Sequence, residues 1–359
     1  MFDKNQPYND LPLLPPSSDL ETKAVLKRAI AANRALAELK GVGDLIPNQT
    51  VLLSTLALQE AKLSSEIENI VTTNDELYRA LADDDHHTDP QTKEVLHYNT
   101  ALWFGVQSLM LGQPLATRLF EDIARNIKPS ISGVRKIPGT KIVDGEGEVI
   151  YTPPEGEALL RDKLENLENF IYDDSDDLDP LVKMAVIHYQ FEAIHPFTDG
   201  NGRTGRILNM LYLVEQKLLE FPVLYLSSYI IQHKNDYYKG LRHITEKESW
   251  EPWILYMLQA IQETALLTRN KILDIKKLME AVTESVKQDL PKVYSKELVE
   301  VLFRQPYCKI RFLEEANIAK RQTASMYLQE LERVGVLQSY KKGRERYFIN
   351  VPFYNLLIR

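Results

Sequence analysis

The chain has 359 residues, a length for two or three domains. Apolar residues at 44% and charged residues at 26% exclude wholesale disorder and collagen-like repeats, and no apolar run is long enough for a membrane-spanning helix. The net charge of −8 hides a split: Pro291–Arg359 carries 13 Lys+Arg against 7 Asp+Glu, so a polyanion suits that segment and not the acidic remainder. The single Cys308 cannot make an internal disulfide, and Met1–Pro16 lacks the basic start and apolar core of a signal peptide. Both point to a reducing, cytoplasmic setting with no membrane partner.

Helix signals punctuate most of the chain. Ser18-Asp19-Leu20-Glu21 is a capping-box pattern that opens a helix ending at Gly41. The apolar run Val51–Ile70 predicts a second helix, and Thr73-Asn74-Asp75-Glu76 caps a third. Ala82–Pro90, with four Asp and two His, reads as a solvated loop. Asp89-Pro90 then opens a helix that Gly112 ends. Val134–Ile137 and Gly147–Thr152 flank Pro138-Gly139 and Asp144-Gly145, which predicts a β-hairpin with a long loop. Its edges either accept an extended peptide or fold onto the core. The acidic run Asp173–Asp177 reads as a solvated cap before a helix over Leu181–Ile194. More helices are expected over Thr204–Leu218, Asn235–Glu248 and Pro252–Leu290, and Pro291 marks a boundary. The expected class is mainly α.

One segment concentrates chemistry: His195-Pro196-Phe197-Thr198-Asp199-Gly200-Asn201-Gly202-Arg203-Thr204-Gly205-Arg206. An apolar helix ends, a His and an Asp follow, and two glycines lead into a helix that starts with two arginines. Gly200 and Gly202 let the backbone approach a ligand, and N–H groups at a helix N-terminus make an anion site. Arg203 and Arg206 are three apart and share a helical face. Two guanidinium forks beside such a cradle describe a polyphosphate site. Asp199 fits a cation accompanying the phosphates, Mg²⁺ first. His195, ordinarily near pKa 6.5, serves as a base near neutral pH. Singly, each feature is ordinary structure; in twelve contiguous residues they combine into one chemistry.

The segment resembles the Fic signature, His-x-Phe-x-Asp/Glu-Gly-Asn-Gly-Arg-x-x-Arg, at every fixed position. The resemblance implies a helical Fic core that transfers AMP from ATP to a Ser, Thr or Tyr hydroxyl of a target protein, itself included. His195 would take the hydroxyl proton, and Asp199 would hold Mg²⁺ on the α- and β-phosphates. Gly200, Asn201 and Gly202 would line the anion hole, with Asn201 on the α-phosphate. Arg203 and Arg206 would hold the β- and γ-phosphates, with Thr204 and Gly205 counted in the nucleotide site. Phe197 and Pro196 would anchor the loop. The hairpin falls where the family has its target-docking flap, with Ile150, Tyr151 and Thr152 on its edge. Tyr237-Tyr238 resembles a pair lining the nucleotide pocket, although core packing explains two tyrosines as well. Ser64-Ser65-Glu66-Ile67-Glu68-Asn69 fits the family's inhibitory motif, in which Glu68 would draw Arg206 away from the γ-phosphate. Read without the family, it is a helical turn with solvated glutamates. Removal of AMP from a modified protein at the same site, with Glu68 positioning water, is the alternative enzyme reading.

Within Pro291–Arg359, helices over Ile310–Ala316 and Ala319–Val334 precede a hairpin, Leu337–Tyr340 with Arg346–Asn350, around Lys341-Lys342-Gly343-Arg344. This looks like a winged helix-turn-helix, for DNA or for a protein partner. A DNA-binding regulator with a Fic sensor core is therefore a reading from another class, and a homo-oligomer is compatible with all of them. The expected organisation is 1–93 as an N-terminal helical region with the inhibitory motif, 94–268 as the Fic core, 269–290 as a connecting helix and 291–359 as the winged-helix-like domain.

Overall fold

Most of the anticipated helices form, with ends moved where a cap finds a better partner. The computed structural model describes residues 2–43, 49–83, 88–343 and 345–358. Residues 84–87 of the acidic loop and Arg344 of the C-terminal hairpin turn lie outside the described residues. Helix α1 runs over Lys23–Gly43. The capping box expected at Ser18 does not close: the Glu21 carboxylate instead accepts the Asp179 N–H at 2.7 Å, and the Thr22 hydroxyl accepts the Val25 N–H at 3.3 Å. Helix α2 spans Gln49–Ile67. Helix α3, Asn74–Ala82, has the full capping box between Thr73 and Glu76. Helix α4, Pro90–Met110, starts on the Asp89 cap, and α5 covers Thr117–Ile127.

The hairpin is smaller than expected. Strands β1, Ile142–Val143, and β2, Val149–Tyr151, pair antiparallel with Ile142 opposite Tyr151. Val134–Ile137 is not a strand, because Val134 and Arg135 are buried and Arg135 bonds the loop after Ile194 instead of a strand partner. Helices α6, Glu157–Tyr172, α7, Pro180–Ile194, and α8, Asn201–Glu215, follow. The acidic run before α7 is less solvated than expected: Asp176, nearly buried, meets the Lys183 ammonium at 2.9 Å. Helix α7 is apolar around most of its circumference, the mark of a central helix, and it packs against α1, α6 and α8.

Helices α9, Leu226–Gln232, and α10, Lys234–Lys247, precede α11, Trp250–Asp289. The 40 residues of α11 lie along α1 and α7, where the Trp253 indole N–H donates to the Ala185 carbonyl at 2.8 Å. The helix continues unbroken through residue 268. No helix among the described residues is long and apolar enough to cross a membrane.

The C-terminal elements are α12, Lys296–Arg304, β3, Tyr307–Cys308, α13, Ile310–Glu315, α14, Arg321–Arg333, β4, Gln338–Lys342, β5, Glu345–Ile349, and α15, Val351–Ile358. Their strands form an antiparallel sheet in the order β3-β5-β4. β3 and α15 were not expected; each is short and closes against the rest of the chain. α12 and α15 pack on α2. Arg311 donates to the Ala82 carbonyl at 2.7 Å at the end of α3, and the Tyr347 hydroxyl donates to Asp83 at 2.5 Å. Lys309 bridges Asp83 and Glu345.

Residues 2–16 form a strap with no regular element. Side chains of α6 and α7 fix it by binding its backbone. Lys163 donates to the Leu11 carbonyl at 2.6 Å and Gln190 to the Pro12 carbonyl at 2.9 Å, while Asn166 bonds both the N–H and the carbonyl of Leu14.

Candidate active site

The loop between α7 and α8 is clamped through its backbone. Helix α7 stops because His195 takes the left-handed conformation, φ 50°, and α8 starts after Gly200 at φ 72°. The Asn201 side chain accepts the Phe197 N–H at 2.8 Å and donates to the Phe197 carbonyl at 2.9 Å. Phe197 is buried against Phe191, as expected of an anchor. From the other side, the Arg135 N–H donates to the Pro196 carbonyl and its Nε to the His195 carbonyl, both at 2.8 Å. Burial, with the Arg135 guanidinium adding to it, lowers His195 to about 4 against the pull of Glu68 and Asp199. The imidazole is therefore neutral near pH 7, with a ring nitrogen able to take a proton though as a weaker base than a solvated imidazole.

The acidic and basic residues of the motif are brought together. Burial pushes the Asp199 carboxyl up, but the Lys128 ammonium paired with it, then the Gly200 N–H and Arg203, hold it below the ordinary carboxylate value. Arg203, nearly fully buried, donates to Glu94 at 2.9 Å. Arg206 has three bonds to the end of α2 and the turn after it: its Nε to the Ser64 hydroxyl at 2.8 Å, and its Nη2 to the Ser64 carbonyl at 2.9 Å and to Glu68 at 2.8 Å. Burial would lower the Arg206 pKa, but Glu68, together with Tyr237, Glu192 and Tyr98, raises it above the ordinary guanidinium value. Gly202 makes the pair possible, because a Cβ there would collide with the Glu68 carboxylate. The Thr204 N–H is the first to close onto α8, on the Gly200 carbonyl. The N–H groups of Asn201, Gly202 and Arg203 thus have no intrahelical acceptor and form an anion cradle.

The face of α2 that leads to Glu68 is polar and buried at Glu60 and Ser64, and Glu68 sits exposed in the turn that ends it. Glu60 and Ser64, four apart, share that face, and Glu68 follows four residues later. Glu60 accepts the Ser227 N–H at 3.0 Å and the Ser227 hydroxyl, and burial pushes its carboxyl up to about 7. Lys234 closes the end of α2 by donating to the Ile67 carbonyl at 2.6 Å.

Other expected site residues divide. Thr204 is fully buried, and Gly205 faces α7, where a Cβ would lie 2.6 Å from Glu192. The tyrosine pair splits: Tyr237 is buried between His188 and Trp253, with its hydroxyl 2.7 Å from His188 Nε2, and has no face left for a base. Tyr238 is 37% exposed and lines a mostly apolar, partly open cavity between the hairpin, α7 and α10. Ile150 and Tyr151 line the same cavity, and the Tyr151 hydroxyl donates to the Ala193 carbonyl at 2.7 Å. The expected free edge does not include Thr152, which is buried; its carbonyl accepts the Tyr8 N–H at 3.0 Å and its hydroxyl donates to the Lys4 carbonyl at 2.6 Å. Sequence reasoning missed Lys128, Glu94, Arg135 and Glu60. Only Glu60 carried a signal, as a carboxylate at helical spacing from Ser64 and Glu68 in an apolar stretch.

Three family profiles match: "Fic/DOC family N-terminal" over residues 26–107, "Fic/DOC family" over 113–213, and "Protein adenylyltransferase SoFic-like, C-terminal domain" over 278–353. The chain is 31% identical over 123 residues to protein adenylyltransferase fic-1 of Caenorhabditis briggsae, covering 34% of this chain and 22% of that one. It is 30% identical over 114 residues to protein adenylyltransferase Fic of Nematostella vectensis, covering 32% and 25%. The chain thus spans about a fifth to a quarter of the length of these curated relatives. Among solved structures, a Fic family protein from Desulfovibrio desulfuricans G20 superposes with a TM-score of 0.59 at 18% identity, over 94% of this chain and 98% of that one. Fic-1 from C. elegans superposes at 0.54 with 19% identity, over 71% and 74%. These two likenesses are likenesses of fold.

Proposed function

The chain belongs to the Fic/DOC family, and from that premise we propose that it is a protein adenylyltransferase held at rest by Glu68. The observation that carries this is the meeting of a neutral His195, the N–H cradle of α8 and two buried arginines, each paired with a carboxylate from outside α8: Arg203 with Glu94 and Arg206 with Glu68. His195 takes the proton from a Ser, Thr or Tyr hydroxyl of a target protein, and that oxygen attacks the α-phosphorus of ATP. The bond from the α-phosphorus to the bridging oxygen breaks, pyrophosphate leaves, and AMP stays on the target as a phosphodiester. Such a displacement relies on positioning and charge neutralisation. The cradle and Arg203 serve the phosphates nearest the attack, and Arg206 serves the γ-phosphate once Glu68 releases it. Asn201 contributes its backbone N–H, since its side chain is engaged with Phe197.

The donor set suits Mg²⁺, which binds through one or two carboxylates together with substrate phosphates. Asp199, partly exposed and held ionised, is the protein ligand, with Lys128 as its present counter-charge. The metal would neutralise phosphate charge. The aromatic cavity beside Tyr238 suits the base. The start of α14, with Lys320 and Arg321, and the basic β4–β5 hairpin are proposed to meet DNA or a protein partner.

The test is incubation of purified protein, alone and with lysate, in Mg²⁺ with α-labelled and separately γ-labelled ATP. Label on protein from the α-position only is expected. Label from the γ-position only would make the protein a kinase, and no label from either overturns the reading.

A further inference from the structure

The N-terminal strap lies outside the three matched segments and outside the motif chemistry, yet it reaches the aromatic cavity. Phe2 lines that cavity together with Ile150, Tyr151, Glu192, Tyr238 and Leu241. Its ring stacks on Tyr151, with centroids 5.9 Å apart and planes 24° apart, and meets Tyr8 edge-on at 5.2 Å. Tyr8 in turn meets Tyr151 edge-on at 6.4 Å. Two hydrogen bonds between Thr152 and the strap, to the Tyr8 N–H and the Lys4 carbonyl, fix the backbone after the ring. Further along, the Glu155 N–H donates to the Asn9 side chain at 3.0 Å. An aromatic ring held this way loses little freedom on binding a ligand.

The cavity comes within one helical turn of the motif loop: Glu192 and Ala193, three and two residues before His195 on α7, line it. An occupant that fills it and also reaches the α8 cradle is flat or apolar at one end and anionic at the other, which describes a nucleotide better than a peptide side chain. We infer that Phe2 is a nucleobase-binding residue, so that the strap supplies one wall of the ATP site and ties that wall to the hairpin. This rests on the reading of the chain as an ATP-consuming transferase.

The test compares binding of ATP and of inorganic tripolyphosphate, which has no base, to the full chain by titration calorimetry in Mg²⁺. Phe2→Ala should weaken ATP by about 5- to 100-fold, the range for loss of one base-stacking ring, and leave tripolyphosphate unchanged. Phe2→Tyr should restore ATP affinity. Three results overturn the inference: ATP affinity unaltered in Phe2→Ala, tighter ATP binding as though the ring obstructs the cavity, or equal weakening of both probes as for a merely structural residue. A wild-type chain that binds tripolyphosphate but not ATP also overturns it. One that binds neither removes the transferase reading first, and this inference with it.

Discussion

The motif loop and the end of α2 meet at the same arginines but are held by opposite means. The loop from His195 to Gly200 is fixed backbone to side chain, with Asn201 on one strand of it and Arg135 on the other, over a buried Phe197. The last turn of α2 is fixed to α8 through Arg206, and Glu68, 36% exposed on its side chain, supplies one of those bonds. Backbone clamps give a geometry that no incoming anion can displace. A carboxylate on a guanidinium is a bond that a phosphate can replace in kind. The comparison separates what is built to stay, the reacting centre, from what is built to be exchanged, the counter-ion of Arg206.

The largest test acts on the permanent side. His195→Ala should lower AMP incorporation by about 10²- to 10⁴-fold while ATP affinity and thermal stability hold, because a missing base costs the chemical step alone. Labelling at the wild-type rate would show that the clamped loop presents something other than a base. On the exchangeable side, Glu68→Gly should raise the initial rate by about 5- to 150-fold, the span of a 1–3 kcal/mol coupling. The gain should vanish in the double variant with Arg206→Ala. A folded, ATP-binding Glu68→Gly chain as slow as wild type would erase the distinction between the two regions.

The smallest effect is on stability and sharpens the contrast along α2 itself. Glu60 has a folded pKa of about 7, above the ordinary 4.5, because burial disfavours its charge. A raised folded value means that the native state holds the proton more tightly. Its contribution is full below about pH 4.5 and is lost as pH rises through 7. Wild type should therefore lose stability relative to Glu60→Gln with a limiting slope of about 1.4 kcal/mol per pH unit in that window. Parallel pH profiles from denaturant unfolding would mean that Glu60 is not buried in this way.

The chemistry was legible because it is contiguous: His195, Asp199, the glycines and both arginines lie within one loop and the first turns of one helix. What supports them was not, since Lys128, Glu94 and Arg135 arrive from between 60 and 109 residues away and no local pattern announces them. Long helices with a capped start, such as Asn74–Ala82 and Pro90–Met110, could be read from their caps. Val134–Ile137 looked like a strand because β-branched residues favour one, and the bonds of Arg135 to the loop overrode that preference. The strap had no periodicity to read, because its backbone partners are side chains of α6 and α7 rather than a ladder. The tyrosine pair could be placed near a pocket, but adjacent residues on a helix point in different directions, and only packing decided that Tyr238 faces out.

Helix α2 has a second load. Glu60 and Ser64 tie it to Ser227 and Arg206, while α12 and α15 rest against the same helix and their neighbours hold the end of α3. Under the proposed function it is a beam with the Glu68 contact at one end and the C-terminal elements bearing on its side. Force or binding energy delivered to those elements has a short mechanical route to Glu68. By reciprocity, release of Glu68 by a nucleotide would be felt in turn by whatever grips the C-terminal sheet, to the extent that the two positions of the beam are gripped unequally.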